Sequence, residues 1–354
     1  MSIQNELLFA QFFRSCVYHP YILRETVRAV NTKFQKEGIT TKILMPEDMM
    51  FPGRMLNYIE PTMNDPETSH FQGHFSTHRK AEKEGLLEWV SKTEQYKRQN
   101  WMTETSGHDA NWKGAFKMAC DIHDYLVYGN FSAWVYWQLS GGTGGDPENT
   151  GKYTLLVAGK PTPKYYAAKH FYKFIRPGAV RVEVAAPQND SLLVSAFKHP
   201  VSGKLTIVCI NKKQTPEQIR LNIPGENVPQ CFEAYLSTEA DNWIEQGPLQ
   251  SAGPFKIPAK GIMTLVGRHK AWETKEKTKL SKPCKVDYDN NDKWGNFEAL
   301  NIDKEWQRMS DGDASLLKEA KKAFKNGTLQ ETRFNGWTIL HDAILQGDGD
   351  AVEF

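Results

Sequence analysis

The chain has 354 residues, 44 basic and 42 acidic, and its net charge of +2 excludes an electrostatic footprint for nucleic acid across the whole molecule. Hydrophobic residues make up 40% and charged residues 24%, a globular mix that excludes wholesale disorder. No apolar run reaches the roughly 18 residues that a membrane-spanning helix needs. Aromatic side chains make up 12%, with ten Trp, a usage that suits either a sugar or aromatic ligand or a large core. The five cysteines, Cys16, Cys120, Cys209, Cys231 and Cys284, lack paired spacing and read as buried free thiols. The first residues carry no basic stretch and no small-residue cleavage site, so they are not a signal peptide.

Residues 1–178 alternate short apolar runs with helical patterns. The spacing predicts a helix over 21–37, stopped by Gly38, and then a strand over 41–45 that ends at Pro46-Glu47. A weaker strand follows over 70–75, then a charged helix over 79–97. Residues 100–103 form a strand ending in Glu104, 112–128 a helix, and 131–139 (FSAWVYWQL) a continuous buried strand closed by glycines. Strands alternating with helices mean a parallel α/β arrangement. Over 180–267 the pattern changes to short strands, at 180–184, 192–197, 205–210, 218–223, 232–236 and 262–266, separated by turn clusters. Regular spacing of this kind predicts a β-sandwich. Residues 268–310 read as a polar linker, and 315–324 as an amphipathic helix.

In a parallel α/β barrel, reactive side chains emerge where strands end, on the face built by the βα loops. Glu6, Glu47 and Glu104 occupy such positions. Two strand-end carboxylates facing one cleft are what glycoside hydrolysis requires, one as proton donor and one to attack or stabilise the anomeric centre. Such acids also serve as solvated caps or structural ion pairs.

The residues around these acids resemble glycoside hydrolase family 30. Ser2-Ile3-Gln4-Asn5-Glu6 is similar to the fourth-strand motif, and Trp101-Met102-Thr103-Glu104-Thr105-Ser106 to the seventh-strand motif. Ala133-Trp134-Val135-Tyr136-Trp137 resembles the eighth strand, and residues 165–182 the passage from barrel to side domain. The similarity runs over roughly residues 1–267, through Gly261-Ile262-Met263-Thr264-Leu265-Val266-Gly267. It implies Glu6 as general acid/base, Glu104 as nucleophile and Asn5 as the partner of the sugar 2-hydroxyl. Trp137 would pack on the apolar face of the sugar, with plain core packing as its other reading; Glu47 and His74 would line the cleft. A Tyr is common in the family where Ser76 stands, and its loss would remove a hydrogen-bond donor near the nucleophile.

Glu6 falls on the fourth strand only six residues into the chain, so the expected fold is α/β plus β: an incomplete (β/α)8 TIM-type barrel holding strands four to eight, then a β-sandwich side domain. The expected domains are 1–178 for the barrel part, 179–267 for the sandwich, 268–310 for the linker and 311–354 for a helical stub. Within that stub, Asn335-Gly336-Trp337-Thr338-Ile339-Leu340-His341-Asp342-Ala343 resembles the opening of an ankyrin repeat, which implies a protein partner.

Three other signals are set aside. His70, His74 and His78 have the spacing of metal ligands on a helix, but this segment reads as strand then loop, so no metal site is expected. The glycine-rich 141–152 segment lacks the spacing and the hydroxyl of a phosphate loop, and reads as a flexible loop at the cleft rim. The lysines of 268–285 are interrupted by Glu273 and Glu276 and read as a solvated segment.

The expectation is a retaining β-glycoside hydrolase that needs no cofactor and acts on a β-linked polysaccharide, of xylan or β-glucan type rather than glucosylceramide. The resemblance implies a secreted parent protein. The alternative is a catalytically inactive fragment that binds carbohydrate or protein.

Overall fold

The computed structural model describes residues 1–8, 10, 15–49, 53–78, 80–141, 151–185, 191–225 and 228–267. The linker, the 315–324 helix and the ankyrin-like segment lie outside the described residues, as does most of the glycine-rich segment.

The first half builds a parallel sheet in the order β1 (Ile43–Asp48), β2 (Gln72–Thr77), β3 (Asn100–Met102) and β4 (Phe131–Trp134). Helix α1 (Pro20–Lys36) precedes β1, α2 (Gly53–Met63) joins β1 to β2, α3 (Lys83–Thr93) joins β2 to β3, and α4 (Trp112–Val127) joins β3 to β4. Residues 1–8 run beside β1. Ser2 bridges to Leu44 in parallel, Leu44 N–H donates to Met1 O at 2.7 Å, and Glu6 N–H donates to Glu47 O at 2.8 Å. Among the described residues β4 has no strand partner on its outer side.

Local chemistry sets these elements. Pro20 supplies the pre-set first turn of α1, His19 Nδ1 accepts from Tyr21 N–H, and Lys33 and Lys36 face the negative end of the helix. Leu23, Val27 and Asn31 recur every four residues on its buried face. Asn111 caps α4 by accepting from Gly114 N–H at 3.0 Å. Residue 114 must be glycine, since a Cβ there would lie 2.1 Å from Asp109 O.

The period of two along the strands separates the faces of the sheet. Phe75 and Met102 pack outward against Met55, Ile59, Trp89, Met118 and Ile122 of the helices. Ile43 and Met45 pack with Leu7, Leu23, Val27 and Tyr58. On the opposite face His74 stacks on Trp101, with ring centroids 4.4 Å apart, and Trp101 Nε1 donates to Ser132 Oγ at 2.9 Å.

The eighth-strand segment differs from its expected continuous run over 131–139. Strand β4 stops at Trp134; the Val135 amide still donates to Met102 O of β3 at 2.9 Å, and the Trp137 amide donates to Thr105 O at 2.8 Å in the loop beyond β3. The chain then forms a small three-stranded sheet of β5 (Ser140–Gly141), β6 (Leu156–Val157) and β7 (Lys160–Pro161), and enters α5 (Pro163–Tyr172).

The second half holds β8 (Val180–Val182), β9 (Leu192–Lys198), β10 (Leu205–Asn211), β11 (Glu217–Ile219), β12 (Cys231–Ser237), β13 (Ile244–Gln250), β14 (Phe255–Ile257) and β15 (Ile262–Gly267). Six strands form one antiparallel sheet in the order β13-β12-β15-β10-β9-β8, and β11 pairs with β14 separately. Its two faces have different partners. Ile207, Cys209, Phe232 and Leu265 pack with Phe255 and Ile257. Val208, Ile210 and Ile262 instead join the core built by α4 and α5. Two connections fasten the halves: Trp112 Nε1 donates to Lys260 O at 3.1 Å, and His170 of α5 lies between Thr264 and Ser237. Of the described cysteines, Cys209 is buried and Cys120 partly buried, but Cys16 and Cys231 are exposed, against the expectation of buried thiols. Cys231 opens a strand whose outward positions alternate with the core.

Candidate active site

The carboxyl ends of the parallel strands gather Glu6, Glu47, His78 and Glu104. Glu47 lies near the end of β1, His78 directly follows β2, and Glu104 comes two residues after β3. Glu6 reaches the group through the backbone bond to Glu47.

His78 is the hub. Its Nε2 lies 2.8 Å from Glu47 Oε2, and its Nδ1 lies 3.3 Å from Glu6 Oε1 and 3.9 Å from Glu104 Oε2. Thr103 Oγ1 donates to the same Glu47 oxygen. Glu6, Glu47 and His78 are buried, whereas the Glu104 side chain is 32% exposed. Glu104 is thus the acid that presents itself to a ligand, and the other three residues form the bed beneath it.

The charges explain one another. Burial works against a charged imidazole, but the Glu47 hydrogen bond, the charges of Glu104 and Glu47 and the Glu6 contact outweigh it and raise the His78 pKa above its ordinary value. Burial pushes the Glu104 carboxyl up; the charge of His78 pulls it back, those of Glu6 and Glu47 push it further, and the net shift is upward. One atom each from Glu6, His78 and Glu104 lies within 4.8 Å of the other two. The hydrogen bonds of His78 to Glu47 and to Glu6 give the group the makings of an acid–base set.

The backbone is strained at two of the acids. Glu6 has φ 51° and Glu47 φ 58°, left-handed conformations that cost a non-glycine residue about 1–3 kcal/mol each. The strain is held in place by packing and by the hydrogen bond between the two residues. Conformations of this kind concentrate where geometry serves chemistry.

The predicted site residues separate into groups. Glu6, Glu47 and Glu104 come together, and Glu47 does more than line a cleft, since it anchors both His78 and Thr103. Asn5 precedes Glu6 and is exposed. Trp137 lies beside the Glu104 loop through its amide bond to Thr105; it is 39% exposed, with Tyr153 edge-on at 6.0 Å. It is therefore no plain core residue. His74 does not line the acidic group. It sits in mid-strand, stacked on Trp101, and burial, with Lys42 and Arg98 nearby, lowers its pKa. Ser76 is buried opposite Trp101. The three histidines diverge: His70 Nδ1 lies 3.3 Å from Pro66 O, His74 is inside the sheet, and only His78 meets the acids.

His78 and Thr103 carried no site assignment in the sequence. Strand β2 runs to Thr77 rather than ending at 75, so the strand-end position belongs to His78. The run from His74 to His78 held that signal, since residues of like parity share a face and 78 is the next such position after Ser76.

Residues 178–265 match the profile of the glycosyl hydrolase family 30 beta sandwich domain. Glucuronoxylanase XynC of Bacillus subtilis is 28% identical over 255 residues, covering 66% of this chain and 55% of the relative. The XynC of Bacillus subtilis strain 168 is 28% identical over 193 residues, covering 52% of this chain and 42% of the relative. The chain thus spans about half the length of these curated relatives. The crystal structure of a GH30 endoxylanase from Clostridium papyrosolvens C71 superposes with a TM-score of 0.63 at 23% identity, over 75% of this chain and 64% of that one. That likeness is one of fold: enzymes of this kind have a (β/α)8 barrel with a β-sandwich domain, and this chain superposes on part of one. Profile, relatives and fold converge: this chain is similar to enzymes of glycoside hydrolase family 30, and residues 178–265 match that family's β-sandwich domain.

Proposed function

We propose that the protein is a retaining β-glycoside hydrolase acting on a β-linked polysaccharide of xylan or β-glucan type. The observation that carries this reading is the approach of Glu6 and Glu104, whose nearest carboxylate oxygens lie within 4.8 Å on the carboxyl-end face of the sheet. Retention uses carboxyl groups roughly 5–5.5 Å apart, whereas inversion needs roughly 6.5–9.5 Å to admit a water. In this reading Glu104, the more open acid, attacks the anomeric carbon while Glu6 protonates the departing oxygen. Glu6 then takes a proton from the water that displaces Glu104. Trp137, exposed beside the Glu104 loop, offers an apolar face to the sugar ring. The named activities of the relatives, glucuronoxylanase and endoxylanase, favour xylan as substrate.

The test is reducing-sugar release from xylan, glucuronoxylan, β-1,6-glucan and glucosylceramide, with Glu104→Gln as control. Hydrolysis of a polysaccharide, lost in the control, supports the reading. A folded chain that hydrolyses none of them, or a control that remains active, contradicts it and favours a binding role.

A further inference from the structure

Three carboxylates face the ring of His78, each from a different segment packed against it. Glu6 comes from the N-terminal segment, Glu47 from β1, and Glu104 from the loop after β3. An ionised carboxylate can only accept, so Nε2 carries a hydrogen toward Glu47 and the tautomer of the ring is fixed. Thr103, donating to the same oxygen, holds that carboxylate in place.

Nδ1 then has two states. It carries a proton and donates to ionised Glu6, or it holds a lone pair and accepts from protonated Glu6. In both states a single proton lies between the two side chains. We propose that His78 is a positioning residue for the acid/base, storing on Nδ1 the proton that Glu6 delivers to the glycosidic oxygen. The inference rests on the assignment of Glu6 as the acid.

The proton count closes. The proton moves from Nδ1 to a Glu6 oxygen and on to the leaving oxygen, as the glycosidic C–O bond breaks and a Glu104 oxygen bonds the anomeric carbon. Water then forms a bond to that carbon, the bond to Glu104 breaks, and the water proton returns through Glu6 to Nδ1. Water is the only further reactant. Coupled groups of this kind lose their shared proton as a pair. The rate therefore stays level through pH values at which an isolated carboxyl would already be ionised.

Two measurements on the full chain test this. The first is an NMR titration of the His78 ring. Its midpoint is expected above the ordinary value of 6.5, falling by about one pH unit or more in Glu6→Gln and in Glu47→Gln. A midpoint at or below 6.5 that ignores both substitutions overturns the proposal, whether or not the chain hydrolyses a glycan. The second is the pH–rate profile of His78→Gln, with folding checked by thermal unfolding. The alkaline limb is expected to move down by about one pH unit or more. The rate on substrates with poor leaving groups should fall about tenfold or more, and that on activated aryl glycosides less. A uniform loss with an unmoved limb makes His78 merely structural and overturns the proposal. Activity surviving in Glu104→Gln strikes the assignment of the nucleophile instead.

Discussion

Two buried histidines sit at opposite ends of the electrostatic range. His78, at the carboxyl ends of the parallel strands, is ringed by three carboxylates that raise its pKa. His170, where α5 meets the sandwich, lies between two hydroxyls, Thr264 Oγ1 and Ser237 Oγ, each at 2.8 Å. Ser237 donates onward to Asn242 O, so it accepts from His170 Nε2, while Thr264 Oγ1 donates to the His170 carbonyl and lies beside Nδ1. Complete burial, with Lys169 beside it, disfavours the charged ring and lowers the pKa to about 3. The contrast separates two uses of one side chain. At His170 burial is satisfied without charge and serves cohesion between the two halves. At His78 burial is combined with charge and with strained backbone at Glu6 and Glu47, an arrangement that costs stability and makes sense as chemistry.

The largest effect that sharpens this contrast belongs to the acids. Glu6→Gln should lower hydrolysis by roughly 10²–10⁴-fold on substrates with poor leaving groups, and far less on activated aryl glycosides. Equal losses on both would deny Glu6 the role of proton donor. The fold should be unharmed, because removing a negative charge from a crowded acidic group relieves repulsion.

His170 should show the reverse pattern. Its folded pKa lies near 3 and its unfolded value near 6.5. The unfolded chain therefore takes up the proton first as pH falls. The stability that comes from burying a neutral ring is complete above pH 6.5 and is lost progressively toward pH 3. Over that window the loss amounts to a few kcal/mol. In His170→Gln, thermal unfolding should show a loss of about 1–3 kcal/mol at neutral pH and a flatter acid dependence. An unchanged acid dependence would show that other groups drive it.

The smallest expected effect is at Thr103. Replacing it with Val removes one hydrogen bond to Glu47 while keeping the shape, at a cost of about 1 kcal/mol or less in stability. Activity should fall by a few fold, mainly through a shifted pH profile, since Glu47 would hold His78 less firmly. A change in substrate affinity with no change in the profile would place Thr103 in ligand contact instead.

The legible and illegible parts of the molecule differ for physical reasons. Strands β10 and β15 are visible as apolar runs because both of their faces are covered, one by the core built with the helices and one by the sandwich core. Strand β13 has no such signature: Ile244–Gln250 is mostly exposed and includes Gly247 and Pro248, so its pairing with β12 shows only in the fold. Helices α2 and α5 also escape a periodic reading, α2 carrying Pro61 inside it and α5 mixing Lys and Tyr with its buried Ala167 and Ala168. The eighth-strand run of apolar residues reads as one long strand, yet the chain leaves the ladder after Trp134 to meet the Glu104 loop. At the site, Glu6, Glu47 and Glu104 are legible because acids at strand ends and their neighbouring motifs point the same way. His78 is not, because its position depends on two further residues of β2, and a two-residue error in a strand end moves the catalytic-face position off the true residue.

The central claim is that Glu104 forms a covalent bond to the sugar. Mass spectrometry of the protein after incubation with an activated fluorinated xyloside, which slows breakdown of such an intermediate, tests it directly. The account predicts one sugar attached per chain, located on Glu104 and absent from Glu104→Gln. A label on Glu6 or Glu47, or hydrolysis of the glycan by a chain that never carries a sugar, would contradict it.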